Sequence, residues 1–202
     1  NQVFEDAMSQ RITMEEMYVF RIQKALEDFG LAVTRQEALD FQTAYAWQQS
    51  HIQLSPALAK ALDLCRDRGA FLGIITNGPS AHQRDKCKAL GLERWISKDH
   101  VLASGDIGIN KPDPRIFYQA AARWQLSPEN AWYVGDSYEH DIVSASAAGW
   151  HPIWLRRTGH EHGHPGTGIP SDQRESKGQA SPGDFTVSSE EALLDCIRRL
   201  LI

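Results

Sequence analysis

Cysteine is scarce in this chain, and long apolar runs and blocks of like charge are missing from it. Its 202 residues hold three cysteines, Cys65, Cys87 and Cys196. They are far apart, show no metal-ligand spacing and fall within helical patterns, which excludes a disulfide framework and suits reduced thiols in a cytosolic protein. The apolar run from Phe71 to Ile75 is far too short to span a bilayer, and the acidic first residues do not resemble a signal peptide. A membrane partner is therefore not expected, and the expected location is cytoplasmic. Lys and Arg number 21 against 26 Asp and Glu, a net charge of −5, and the two signs are interspersed. With no basic stripe, nucleic acid and anionic lipid are not expected partners. No internal repeat occurs, and no segment specifies an oligomeric state. What is present is 42% hydrophobic residues, enough for one sizeable core and a small accessory domain.

From Ser55 onward, helix and strand signals alternate. Ser55 caps a helix with Pro56 in first position, Leu58, Ala61, Leu62 and Cys65 as its apolar stripe, and Gly69 at its end. Ala70 to Thr76 are apolar without alternation, as in a parallel strand covered on both faces. A helix from about Ser80 to Gly91 and a short strand at Val101-Leu102 follow. Asp113 caps a helix that starts at Pro114 and turns Ile116, Phe117 and Ala120 inward, and Ala131 to Val134 form the next strand. A helix through Ile142, Val143 and Ala147 ends at Gly149, His151 to Leu155 read as a strand, and Phe185 to Val187 lead to a last helix with a Ser188/Glu191 capping box. Such alternation predicts an α/β fold with a mainly parallel sheet and helices on both faces, spanning residues 54–202. Residues 157–184, rich in Gly, Pro, Ser and His, read as a flexible excursion. Residues 1–53 carry helical periodicity alone (Met14, Met17, Tyr18, Ile22, Leu26, then Ala38, Phe41, Ala44, Tyr45 and Gln48) and read as a small all-helical module.

Chemistry-bearing residues gather at the predicted strand ends. Trp132 to Asp141 place Asp136 and Asp141 on the turn that leaves a strand and enters a helix, where open α/β sheets build their sites. Two acids there repel each other, and a divalent cation such as Mg²⁺ with oxygen ligands relieves the repulsion. Gly135-Asp136-Ser137 is also compatible with an ordinary turn that has an Asp helix cap. Ile74 to Gly78 bring the Thr76 hydroxyl and free backbone N–H groups to the first strand end, and Asn110 to Pro114 bring the Lys111 ammonium to a helix start. His160, His162 and His164 alternate like metal ligands but read as part of the flexible excursion. The six tryptophans are dispersed and read as packing.

In this order, the three segments resemble the second, third and fourth motifs of the haloacid dehalogenase-like (HAD) superfamily, whose members are mostly Mg²⁺-dependent phosphatases. The resemblance runs from about Leu54 to Leu155. It is densest from Ser104 to Phe117, where Gly108, Lys111, Pro112, Asp113, Pro114 and Phe117 match the lysine motif. It implies a Rossmann-like core with the helical module as a cap, and a small phosphorylated metabolite as substrate. Sugar phosphates, nucleotides and other phosphomonoesters are equally admissible. Thr76 would hold the phosphoryl group through its hydroxyl, aided by the Asn77 N–H, and Lys111 would offset charge on the phosphoryl oxygens. Asp136 would bind Mg²⁺, and Asp141 would support the metal or fix Lys111.

The family's first motif, Asp-x-Asp on a first strand, supplies the nucleophile and the general acid, and the chain does not contain it. Asp6, Asp28 and Asp40 sit in helical patterns, and Asp63 and Asp67 lie on a helix before the first strand. The resemblance therefore places nucleophile, acid and first strand upstream of Asn1. Two readings follow: a phosphatase completed by upstream sequence, or an inactive, truncated HAD-like protein with a binding or regulatory role. Dehalogenation shares the aspartate nucleophile but needs no Mg²⁺, so the paired acids argue against it. In the family's sheet order the first strand lies between those ending at Thr76 and Val134, and these two are expected to stand apart here rather than pair.

Overall fold

Two threonines start the helical module. In the computed structural model, which describes Val3, Asp6, residues 11–156 and residues 185–201, Thr13 and Thr34 each accept a hydrogen bond from the N–H three residues on, while Glu16 and Glu37 accept from the cap N–H groups. These two capping boxes open α1 (Met14–Glu27) and α2 (Arg35–Ser50). The two helices pack on each other and bury Met17, Val19 and Ala38. Phe41 and Tyr45, expected inside the apolar stripe, are exposed. The described residues up to Ile52 form one compact unit and those from Gln53 onward a second. Among the described residues no helix is long and apolar enough to cross a membrane.

The second unit opens as its sequence predicts: the Ser55 hydroxyl accepts from Leu58 N–H, and Pro56 leads α3 (Pro56–Asp67). β1 (Ile74–Thr76) is shorter than the expected strand from Ala70, because its ladder partner is short and Phe71 and Gly73 are exposed. Then follow α4 (Ser80–Ala89), β2 (Val101–Ala103), α5 (Ser104–Ile107) and α6 (Arg115–Trp124). Asp113 does accept the first helical N–H, that of Arg115 at 2.9 Å, so the helix proper begins one residue later than read. β3 (Trp132–Gly135) runs into a π-helix over Tyr138–Val143 where an α-helix was expected, and only Ser144–Ala147 (α7) is α-helical. β4 (His151–Leu155) and β5 (Phe185–Val187) match their predicted bounds. α8 (Glu190–Leu200) is capped by Ser189, whose hydroxyl accepts from Ala192 N–H. The Ser188/Glu191 box does not form, because the cap stands one residue further on. Residues 157–184, with His160, His162 and His164, lie outside the described residues.

Among the described residues all strand pairs are parallel. β1 pairs with β2 in the register Ile75 to Leu102, and the strands of the second sheet lie in the order β3-β4-β5. Among the described residues no ladder joins β1 to β3, so the strands expected to stand apart do so, and two sheets replace the single one predicted. Successive strand residues point to opposite faces. Tyr133, opposite Pro152, therefore faces one way and Val134 and Ile153 the other. One core gathers Ile75, Leu102, Ile116, Phe117, Ala120 and Trp150 with Tyr133 against it; the other gathers Ile153, Leu155, Val187, Leu193 and Cys196 with Leu58. Helices thus cover both faces. Phe117, fully buried, meets Tyr133 edge-to-face with ring centroids 4.8 Å apart. Phe117→Ala should cost about 3–5 kcal/mol of unfolding free energy, read from the urea midpoint of the full-length protein.

Candidate active site

The loops after β1, α5 and β3 meet through side chains rather than through backbone ladders. Thr76 ends β1, and its hydroxyl donates to Gln83 Oε1 at 2.9 Å. Asn77 follows and clamps a distant loop: its Nδ2 donates to the Lys111 carbonyl and its Oδ1 accepts from Lys111 N–H, each at 2.8 Å. This amide was read as lending its backbone N–H to a phosphate, and its side chain fixes the lysine's main chain. Gly78 N–H donates to the Ser104 hydroxyl, and Gly105 N–H to the Gly78 carbonyl, which ties the β1 loop to α5. Gly78 sits at φ +133, so the backbone calls for glycine.

The Lys111 ammonium donates to Asp141 Oδ1 at 2.5 Å and to the Tyr133 hydroxyl at 2.8 Å. The lysine and aspartate side chains are 11% and 6% exposed. The other Asp141 oxygen accepts from Ser137 N–H at 3.0 Å, and the Tyr133 hydroxyl lies 3.1 Å from the Ile75 carbonyl and 3.3 Å from Asp141 Oδ1. Burial first, and the Asp141 charge second, push the Tyr133 pKa well above its ordinary value, so the phenol keeps its proton. Gly135 makes the approach possible: a Cβ there would stand 2.4 Å from the Asp141 Cβ. The π-helix gives the aspartate its place, with Asp141 N–H and Ile142 N–H both directed at the Ser137 carbonyl; such wide turns recur at functional sites.

Asp136 is different. It is exposed, and its carboxylate makes no hydrogen bond or ion pair with another described residue. The structure thus brings Asn77, Lys111 and Asp141 into contact, sets Thr76 beside Asn77, and leaves Asp136 open on the neighbouring loop. As a hard oxygen donor Asp136 suits Mg²⁺. Asp141 has both oxygens committed, and among the described residues no three His, Cys, Asp or Glu side chains gather as a ready-made metal cage. Thiol chemistry has no support either: burial pushes up the pKa of Cys65, Cys87 and Cys196, and a protonated thiol is a poor nucleophile. Tyr133, Gln83, Ser104 and Ser137 were not singled out from sequence.

Removing one member of a buried ion pair strands the other. Asp141→Asn should therefore destabilise the full-length protein by about 3–5 kcal/mol in urea unfolding, while Asp136→Asn, at an exposed and unpaired position, should shift it by no more than about 0.5 kcal/mol.

The haloacid dehalogenase-like hydrolase family matches residues 4–149 of the chain. A phosphoserine phosphatase from Thermus thermophilus is 37% identical over 139 residues, 69% of this chain and 53% of the relative. A glyceraldehyde 3-phosphate phosphatase from Methanopyrus kandleri is 30% identical over 158 residues, 78% of this chain and 60% of the relative. The chain thus spans a little over half the length of these relatives. Among solved structures, the HAD-hydrolase YfnB from Bacillus subtilis, bound to magnesium, superposes with a TM-score of 0.61 at 21% identity, covering 97% of this chain and 78% of its own, a likeness of fold. With the family match extending over most of its length, the chain belongs to the haloacid dehalogenase-like hydrolases.

Proposed function

We propose that the protein is a Mg²⁺-dependent phosphatase of small phosphomonoesters. The observation that carries this reading is a lysine held from both ends: Asn77 grips its backbone, while Asp141 and Tyr133 grip its ammonium. An ammonium has three donors and two are engaged, which leaves one for a phosphoryl oxygen. A charge preset in this way stabilises the transition state without reorganisation. The Asn77 N–H, and the Thr76 hydroxyl once its proton turns from Gln83 Oε1, would bind further phosphoryl oxygens, the Gly78 N–H being committed to the Ser104 hydroxyl. Asp136 would hold Mg²⁺, and the chemistry that the ion supplies when bound is neutralisation of phosphoryl charge.

Neither aspartate of the site suits the attack on phosphorus, since Asp141 is paired and Asp136 is the metal's ligand. The nucleophilic carboxylate and the acid that protonates the leaving group would come from a strand outside these residues, seated between β1 and β3. The unpaired ladder between those strands supports this. So does the exposure of Trp132 and Val134, each 39%, on a strand of a parallel sheet, where burial on both faces is the rule.

Phosphate release from a panel of phosphomonoesters, phosphoserine, glyceraldehyde 3-phosphate and sugar phosphates among them, tests the proposal with the full-length protein. Turnover should require Mg²⁺ and fall about 10²- to 10³-fold in Lys111→Met, and Asp136→Asn should weaken the Mg²⁺ dependence. The isolated 202 residues should show no turnover above background, since losing a covalent nucleophile removes several powers of ten, about 10⁴ or more. Binding of Mg²⁺ and inorganic phosphate by the full-length protein without any turnover would overturn the enzyme reading in favour of a regulatory binding protein.

A further inference from the structure

We infer that Tyr133 is the positioning residue of this site, its hydroxyl setting where the Lys111 ammonium stands. The inference rests on the phosphatase reading only in the use to which the ammonium is put. A phenol has one proton and can also accept. Here it accepts from Lys111 Nζ at 2.8 Å and has the Ile75 carbonyl within reach of its proton at 3.1 Å. That carbonyl belongs to the backbone of β1, so the hydroxyl is referenced to a rigid strand rather than to a mobile side chain. The ring is fixed too: it lies on β3, packs edge-to-face on the fully buried Phe117, and faces the lysine nitrogen 5.3 Å from its centroid.

Without this hydroxyl, Asp141 alone would hold the ammonium, and a lysine charge draws toward its carboxylate. The third donor would then swing away from the position that the Asn77 clamp otherwise supports. Tyr133 thus does for the side chain what Asn77 does for the main chain. Because Ile75 and Tyr133 belong to sheets that share no ladder among the described residues, the same hydroxyl also ties the two strand ends together at the point where the lysine works.

Tyr133→Phe in the full-length protein separates the hydroxyl from the ring, since packing on Phe117 and the cation-facing ring both remain. The first measurement needs no substrate. The Nζ proton resonance of Lys111, assigned by its loss in Lys111→Met, should exchange with water about ten-fold faster or more in Tyr133→Phe, with the amide spectrum otherwise retained. The second is kinetic: kcat should fall about ten-fold with KM nearly unchanged, and Tyr133→Phe should add nothing in a Lys111→Met background, because the two act as one unit. An ammonium that exchanges as slowly in Tyr133→Phe as in the wild type, or losses that multiply in the double variant, would overturn the inference. Wild-type protein without turnover would overturn the phosphatase reading, while the exchange measurement still decides this one. Should Tyr133→Phe fail to fold, Tyr133→Met removes the same hydroxyl and is read against the same outcomes.

Discussion

The ion pair between Lys111 and Asp141 is the interaction on which the architecture around the strand ends depends. Taking two such charges out of water costs several kcal/mol each, and their attraction offsets this only when the geometry is good and the remaining polar valences are met. The geometry is good here, and every valence is met except one ammonium donor. Asp141 receives Ser137 N–H on one oxygen and the ammonium on the other, and the ammonium also has the Tyr133 hydroxyl. A pair of this kind contributes little net stability compared with apolar packing, yet it strongly penalises any arrangement that separates its members. It therefore acts as a constraint on position.

The backbone near that pair is shaped to fit it. Gly135 admits the aspartate against the strand end, where any larger residue would collide with it, and the wide turn over Tyr138–Val143 carries Asp141 inward to 4% exposure while the flanking Glu139 and His140 stay exposed. Ser144, at the start of the next turn, directs its hydroxyl back to the His140 carbonyl, so a side chain supports the carbonyls that a π turn leaves loosely bonded.

Much of this was legible in the sequence, for reasons that differ by element. Ser55-Pro56 and the strand His151 to Leu155 were read correctly because cap chemistry and unbroken apolar runs are local signals. The cap of α8 was misplaced by one residue because two adjacent serines, Ser188 and Ser189, carry the same chemistry and only the backbone chooses between them. The boxes at Thr13 and Thr34 went unread, although Glu16 and Glu37 stand at the required spacing. Lys111 and Asp141 were identified through their motifs, but sequence left two roles open for the aspartate, and their contact links residues 30 apart in the chain. Tyr133 went unnoticed because an aromatic residue in a strand usually signifies packing; only the placement of Ile75 and Lys111 around its hydroxyl gives it a polar task. Gln83 was hidden for the same reason, since its partner Thr76 lies across a loop.

The strand that leads into the Asp136–Asp141 loop is poorly covered. On β4, Pro152, Ile153 and Leu155 are buried, as strands of a parallel sheet should be. On β3, the two residues that point away from the first core, Trp132 and Val134, are 39% exposed. Apolar burial therefore does less to hold β3 than it does to hold β4, and polar contacts take up the difference: the Tyr133 hydroxyl to Ile75, the Lys111 ammonium to Asp141, and the Trp154 indole to the Asp136 carbonyl at 3.1 Å. Polar contacts are directional where apolar burial is not. A strand end held in this way is fixed in orientation more than in depth, so Lys111 and Asp141 keep their bearings although β1 and β3 share no ladder among the described residues.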